Sequence, residues 1–258
     1  MKRFVRAKRA GCGDSAGSAG LFFHPPEEKE MSMANRTRLC SIAVLSATLS
    51  AVLHAVSFSS WPEIPLSSQF SPGSAYGTQS SPAVAWGGIN LLAVWDDERI
   101  STDKDIFGGR FTAQGEALDP AGFPICTASS WQIYPEVAAG DQVYLVVWED
   151  YRSGTYEIYG ARVDFDGNVL DSDGFPICTG DWLMELPAVA WDGTNFLVAW
   201  SDDRDMISRD IYAARVTSSG AVLEPNGFRV SSGSLLETNP SIAYNGTNYL
   251  VVWEVEGG

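Results

Sequence analysis

The chain has 258 residues, 45% of them apolar, with 25 glycines and 13 prolines, enough for a sizeable core interrupted by many turns. Its formal net charge of −15 is unevenly spread: residues 1–38 hold eight of the 17 basic residues, leaving nine basic against 28 acidic residues from position 39 onward. Such a body repels phosphate backbones, which excludes nucleic acid as a partner. Both histidines, His24 and His54, lie near the N-terminus. The rest of the chain therefore offers no Ser-His-Asp or Cys-His nucleophile system and no His-ligated zinc.

Residues 1–30 lack hydrophobic periodicity and run through Gly/Ser/Ala stretches into PPEEKE. They read as a disordered extension or the product of a misplaced start, with Met31 and Met33 as alternative starts. From there Asn35-Arg36-Thr37-Arg38, an apolar stretch from Leu39 to Val56 and the small residues Ala55-Val56-Ser57 follow the layout of a secretory signal peptide. The signal is assigned to 31–57 with cleavage after Ser57. A membrane anchor is the alternative, disfavoured because the stretch is near the minimum spanning length and carries Ser41, Ser46, Thr48, Ser50 and His54. The remainder is expected outside the cell or on its surface, with no membrane contact after cleavage.

From residue 58 the chain repeats. Pro82, Pro135, Pro187 and Pro240 are spaced by 53, 52 and 53 residues, and each opens the same order of segments. The first unit reads PAVAWGGINLLAVWDDER, DIFGGRF, GEALDPAGFPICT; the second PEVAAGDQVYLVVWEDYR, EIYGARV, GNVLDSDGFPICT; the third PAVAWDGTNFLVAWSDDR, DIYAARV, GAVLEPNGFRVSS. A fourth begins PSIAYNGTNYLVVWE, and Ile64-Pro65-Leu66-Ser67 matches the end of a preceding unit. The repeat spans are a partial unit at 58–81, full units at 82–134, 135–186 and 187–239, and a partial unit at 240–258.

Each unit reads as four strands. The first, such as Pro187–Trp191, ends in a tight turn at Asp192-Gly193 or Asn245-Gly246. The second, such as Leu145–Trp148, is apolar at every position and so should be buried on both faces. The third, such as Asp210–Val216, precedes a turn at Gly115, Gly167 or Gly220, and the fourth places Phe123/Ile125, Phe175/Ile177 or Phe228/Val230 on one face. Counted this way the chain holds fifteen strands: one, three sets of four, and two. A four-stranded meander of about 52 residues buried on both faces predicts an all-β chain, a β-propeller of three full and two partial blades. A stacked β-solenoid is the runner-up, with a usual period much shorter than this.

The units resemble a poorly characterised family of repeats from secreted bacterial proteins, with a core like DGTNYLVVWEDxR, then DIYGARV and a G-x-x-L-D-x-x-G-F-P-I segment. The resemblance covers about residues 62–258, on Asp192-Gly193-Thr194-Asn195, Trp148-Glu149-Asp150-Tyr151-Arg152 and Asp210-Ile211-Tyr212. It implies a propeller-like fold and an extracellular location, and it lends no activity.

Three groups of residues invite a chemical reading. Asp97/Arg99/Asp105, Asp150/Arg152/Glu157 and Asp202/Arg204/Asp210 could hold a sugar, a carboxylate or calcium. They recur in every full unit, so a hydrogen-bonded bracket tying the strand two–three loop to its own unit is preferred. Asp164-Phe165-Asp166-Gly167-Asn168 with Asp171 and Asp173 evokes a calcium loop, but its Gly is fourth rather than sixth and the equivalent segments TAQG and TSSG have no acids. No cofactor is assigned; calcium stands as an unsupported option. Cys126 and Cys178 fall at equivalent positions of adjacent units, read as two unpaired buried thiols.

In a meander the strand two–three and four–one loops share one face. Those loops vary between units and carry Trp131, Tyr134, Tyr156 and Trp182, while the loops of the other face are short and uniform. Variable loops with aromatic residues on a uniform scaffold are where a binding site is expected. The preferred function is a non-enzymatic binding scaffold for a protein or polysaccharide partner. A propeller-type glycan hydrolase and a structural spacer in a larger surface protein are the alternatives. A hydrolase should bring carboxylates belonging to single units together, whereas nearly every candidate acid here is repeated.

Overall fold

The computed structural model describes residues 5–10 and 77–256, and the strand Val5–Ala10 only by its backbone. The assigned signal segment and the partial unit before residue 77 lie outside the described residues. Among the latter there is no helix, and so none long and apolar enough to cross a membrane.

The strands are β1 (Val5–Ala10), β2 (Gln79–Trp86), β3 (Leu91–Asp97), β4 (Asp105–Phe111), β5 (Phe123–Cys126), β6 (Gln132–Ala139), β7 (Val143–Asp150) and β8 (Glu157–Asp164). They continue as β9 (Phe175–Cys178), β10 (Met184–Trp191), β11 (Asn195–Asp202), β12 (Asp210–Thr217), β13 (Phe228–Arg229), β14 (Leu236–Tyr244) and β15 (Tyr249–Glu256). Three antiparallel sheets follow chain order, β2-β3-β4-β5, β6-β7-β8-β9 and β10-β11-β12-β13. In the fourth, β14 pairs with β15, and β1 adds to the far edge of β15 in parallel, from Val5 opposite Leu250 to Ala10 opposite Val255. Six residues of the segment expected to be irregular are thus a strand. The backbone reason is that β15 presents an unpaired edge, and any extended segment satisfies its ladder.

Consecutive sheets pack face to face through alternate residues of the second strands. In β7, Tyr144, Val146 and Trp148 meet the β2–β5 sheet while Leu145 and Val147 meet the β10–β13 sheet. In β11, Phe196, Val198 and Trp200 face back toward the β6–β9 sheet, and Leu197 and Ala199 face forward to β14 and β15. Every residue of β7 is buried, as its apolar run predicts.

The turns obey local chemistry. Asp192 Oδ1 accepts the Thr194 and Asn195 amides at 2.8 Å each, and Asn245 Oδ1 does the same for Thr247 and Asn248. Both are side-chain-capped turns of the kind that Asp and Asn favour. Between strands three and four, Gly115, Gly167 and Gly220 each donate to the residue three before them, closing equivalent turns.

The repeated proline does not open the first strand, as the sequence suggests. The strand begins three or four residues earlier, and the proline lies in a β-bulge. In β10 the register shifts between Glu185 and Ala188, so Leu186 and Pro187 together oppose Trp200. The same shift occurs at Ser80/Ala83, Ile133/Glu136 and Thr238/Ser241. The residue before each proline, Ser81, Tyr134, Leu186 or Asn239, has a left-handed φ of 51° to 54°. A proline, having no N–H to give the ladder, fits a bulge better than a regular strand position.

Two further sets of bonds cross from sheet to sheet. The amides of Gln132, Met184 and Glu237 donate to the carbonyls of Lys104, Tyr156 and Arg209, the residues just before the third strand of the preceding sheet. Arg110 and Arg162 pair with Asp119 and Asp171 of their own units at 2.8 Å and reach Phe165 O and Ser218 O of the following unit. Arg215 pairs in the same way with Glu224.

One glycine is indispensable to this packing. Gly174 has φ +74°, and a Cβ there would lie 2.5 Å from the Trp148 ring. Gly174→Ala should therefore destabilise the protein by about 2 kcal/mol or more. Urea unfolding followed by circular dichroism would read the loss, and an unchanged midpoint would refute the assignment.

Candidate functional site

The repeated aspartates and arginines form a bracket within each unit. Asp97, Asp150 and Asp202 are buried at the ends of the second strands. Each accepts the indole N–H of the tryptophan two residues earlier, at 2.7, 2.9 and 2.9 Å, and also binds the guanidinium of Arg99, Arg152 or Arg204 at 2.6 Å. The arginines go on to the carbonyls of Ala121, Asp173 and Asn226 and stack over Phe107, Tyr159 and Tyr212. Burial alone would raise the Asp97 pKa, but the hydrogen bonds from Arg99 and Trp95 hold it below the usual carboxylate range.

The third acid of each set does not join its arginine. Glu157 Oε1 accepts the Gly180 amide at 3.1 Å, and Asp210 takes the Gly233 amide and the Arg229 guanidinium. Asp105 is buried with Oδ2 unpartnered, and burial beside Asp103 and Asp97 raises its pKa to about 6. The expected acid–Arg–acid cluster is thus an Asp–Arg bracket plus a separate acid whose partner depends on the unit.

Asp164 is engaged by the Asn168 backbone and side chain at 2.8 Å, and Asp171 by Arg162. Asp173 instead accepts the Thr127 amide of the preceding unit at 3.2 Å, so these carboxylates serve the turn, an arginine and a neighbouring strand end. Cys126 and Cys178 are free and buried; burial pushes their thiols up to about 12 and about 11, far from a reactive thiolate.

Three of the four aromatic residues proposed for the loop face meet around one cleft. Trp131, Tyr134 and Tyr156 line a cavity of about 420 Å³, together with Ile133, Thr102 and the charged residues Glu98, Lys104, Glu149 and Glu185. Trp131 and Tyr134 are each 48% exposed. Tyr134 owes its position to the bulge: its φ of 51° turns the first strand at that residue, so it belongs to β6 rather than to a loop. Tyr156 stacks at 4.8 Å on Tyr151. Trp182 stands apart, packed on the core between the second and third units with Arg204 5.1 Å from its ring.

The repeat pattern alone singles out none of the charged residues of the cleft, and comparing units column by column marks only Glu185 among its carboxylates. Position 149 is Glu where the other units have Asp96, Ser201 and Glu254; position 185 is Glu against Ser80, Ile133 and Thr238; position 98 is Glu against Tyr151 and Asp203. Of these three carboxylates only Glu185 is peculiar to its unit, since positions 149 and 98 are acidic in other units as well; the cleft gathers them from three successive sheets, just after β3, in β7 and in β10. Glu185 is paired with Arg209 at 2.8 Å, and Lys104 with Asp96 at 2.9 Å and Ser80 Oγ at 2.7 Å. Glu149 is 2% exposed and receives one hydrogen bond, from the bulge amide of Leu186 at 2.7 Å. Burial raises its pKa to about 8, with Glu185 adding to the rise and the Leu186 amide and Arg209 opposing it.

No protein-family model and no curated protein matches the sequence. Among solved structures, a thermostable family-43 glycoside hydrolase is similar at 11% identity, with a TM-score of 0.46 over 70% of this chain and 67% of that one. The catalytic domain of a GH62 α-L-arabinofuranosidase from Coprinopsis cinerea aligns at 12% identity and TM-score 0.48, covering 73% of this chain and 63% of that one. An endo-arabinase from Bacteroides thetaiotaomicron aligns at 12% and 0.48, covering 70% and 72%. At such distance the similarity carries nothing about substrate or activity.

Proposed function

We propose that the chain is an extracellular repeat protein whose sheets are successive blades of a β-propeller, and that it binds a carbohydrate in the cleft across the β2–β5, β6–β9 and β10–β13 sheets. The single supporting observation is the cleft itself. Exposed flat rings at Trp131 and Tyr134 offer stacking faces, and carboxylates beside them offer acceptors for hydroxyl groups, in a cavity of ordinary ligand size. The blade reading is supported by the face-to-face packing and by the first strands β2, β6, β10 and β14 lying next to one another, as inner strands of a propeller do. The layout of residues 31–57 supports export.

A panel of neutral and charged oligosaccharides, titrated calorimetrically against the full chain, tests this. Saturable binding is expected, weakened about tenfold by Trp131→Ala or Tyr134→Ala through loss of ring contact. Absence of binding across the panel would end the carbohydrate reading.

A second reading, hydrolysis of the bound glycan, is favoured by one observation: Glu149 keeps a proton near neutrality beside Glu98 and Glu185. A carboxyl group held protonated beside other carboxyl groups is the pattern of a general acid. Release of shortened products from the same panel, lost in Glu149→Gln, would establish hydrolysis over simple binding.

A further inference from the structure

The two cations at the cleft are already engaged, which leaves its buried carboxyl group without a cationic partner and narrows the ligand. Lys104 is occupied by Asp96 and Ser80, and Glu185 by Arg209. Glu98 accepts only the Thr78 amide, at 3.1 Å, and forms no ion pair among the described residues. Glu149 is the deepest of the group: almost wholly buried, it lines the cavity, and its Oε2 accepts no hydrogen bond among the described residues. A carboxylate taken out of water needs a cation or several donors. A uronic acid would add a like charge. A neutral hexose would leave the buried carboxyl group protonated, whereas a cation lets it ionise in place. A primary ammonium supplies both three N–H donors and a positive charge, and it is also attracted to ring faces such as those of Trp131 and Tyr134.

We propose that the cleft takes an amino sugar bearing a protonated primary amine, with Glu149 as its counter-ion and the rings of Trp131 and Tyr134 as its walls. This rests on the carbohydrate reading and specifies it. The other groups facing Glu149 are Glu185 and Arg209, one on β10 and the other just before β12, Tyr156 before β8, and the bulge amide of Leu186. Of these only Arg209 is a cation, and it already serves Glu185. Because Glu149 holds a proton at mildly acidic pH, seating the ammonium should expel that proton to the solvent.

The test is calorimetric titration of the full chain at about pH 6 and about 0.15 M salt, where general attraction to the acidic surface is screened. Three oligomers of equal length are compared: fully deacetylated glucosamine, its N-acetylated form and a neutral glucan. The deacetylated oligomer should bind at least about tenfold more tightly than the other two, the increment of one charge-assisted hydrogen bond. Its heat should vary with the ionisation enthalpy of the buffer, reporting about one proton released per site. In Glu149→Gln, which keeps an acceptor for the Leu186 amide, both the preference and the proton release should vanish. Equal binding of all three oligomers would overturn the amine assignment while leaving the carbohydrate reading standing. Tight binding of the deacetylated oligomer that Glu149→Gln leaves unchanged would also overturn it, as attraction to the acidic surface alone. Binding of none would remove both proposals together.

Discussion

Trp148→Ala is expected to cost about 4 kcal/mol of stability, the range for deleting a fully buried tryptophan. The side chain has no exposed surface and fills the core between the first two described sheets. Its indole N–H is bonded to Asp150, which is itself bound by Arg152, and the ring lies directly under Gly174. Truncation would open a cavity that its rigid strand neighbours cannot close and would loosen the carboxylate that organises the bracket. Trp148→Phe should recover part of the loss, since it restores volume without the N–H donor. Trp95→Ala should cost less, because Trp95 keeps some exposure and Leu91 and Ala93 on the same face of its strand are only half-buried. Urea unfolding of the three variants gives the order directly; equal losses for Trp95 and Trp148 would contradict the two-sided burial on which the expectation rests.

The second large effect concerns pH. The carboxyl group of Glu149 titrates near 8 in the folded protein, against 4.5 for an unperturbed glutamate. Between those values the folded state binds more protons than the unfolded state, so stability falls as pH rises through the window and levels off above about 8. The slope approaches about 1.4 kcal/mol per pH unit for one proton. Asp105, raised to about 6, adds a smaller loss in the same direction between its ordinary value of 3.8 and 6. Asp119 and Asp171 act oppositely: paired with Arg110 and Arg162, they titrate below 3.8, and their stabilisation is lost only as pH falls through that lower range. Melting temperature should therefore decline from pH 6 to pH 8, and Glu149→Gln should flatten that decline. A parallel decline in wild type and variant would sink this account. Both the protonated Glu149 and the cleft it lines thus trace to one burial.

Much of the fold was legible in the chain because its physics is local and repeated. Four strands per unit, capped turns at Asp192 and Asn245 and a second strand buried on both faces follow from side-chain period and turn chemistry alone. The bulge at each proline was not legible. Its left-handed residue is Ser81, Tyr134, Leu186 or Asn239, four side chains with no common chemistry, and only the register of the finished hairpin demands it. The arginine ladder was readable in principle, since Arg110, Arg162 and Arg215 each precede an acid by nine residues, but that acid lies beyond a turn. The fate of the third bracket acid could not be read from the repeat, because Arg229, the partner of Asp210, stands where the other units have Pro124 and Pro176. The cleft was half legible: the loop-face aromatics Trp131, Tyr134 and Tyr156 meet there, but Glu98, Glu149 and Glu185 come together only once three sheets are stacked. Repetition marks the framework and conceals the few positions where one unit departs from it.

The bonds from Gln132, Met184 and Glu237 back to Lys104, Tyr156 and Arg209, with the arginines that reach forward to Phe165 and Ser218, stitch each sheet to the next, along two seams among the first three sheets and one at the last. In folding terms the chain is a row of coupled switches, in which a unit's free energy belongs partly to the boundary it shares. A lesion confined to one unit is then felt by its neighbours as a lost boundary. The cleft, built from three sheets in succession, exists only while two adjoining boundaries are closed together.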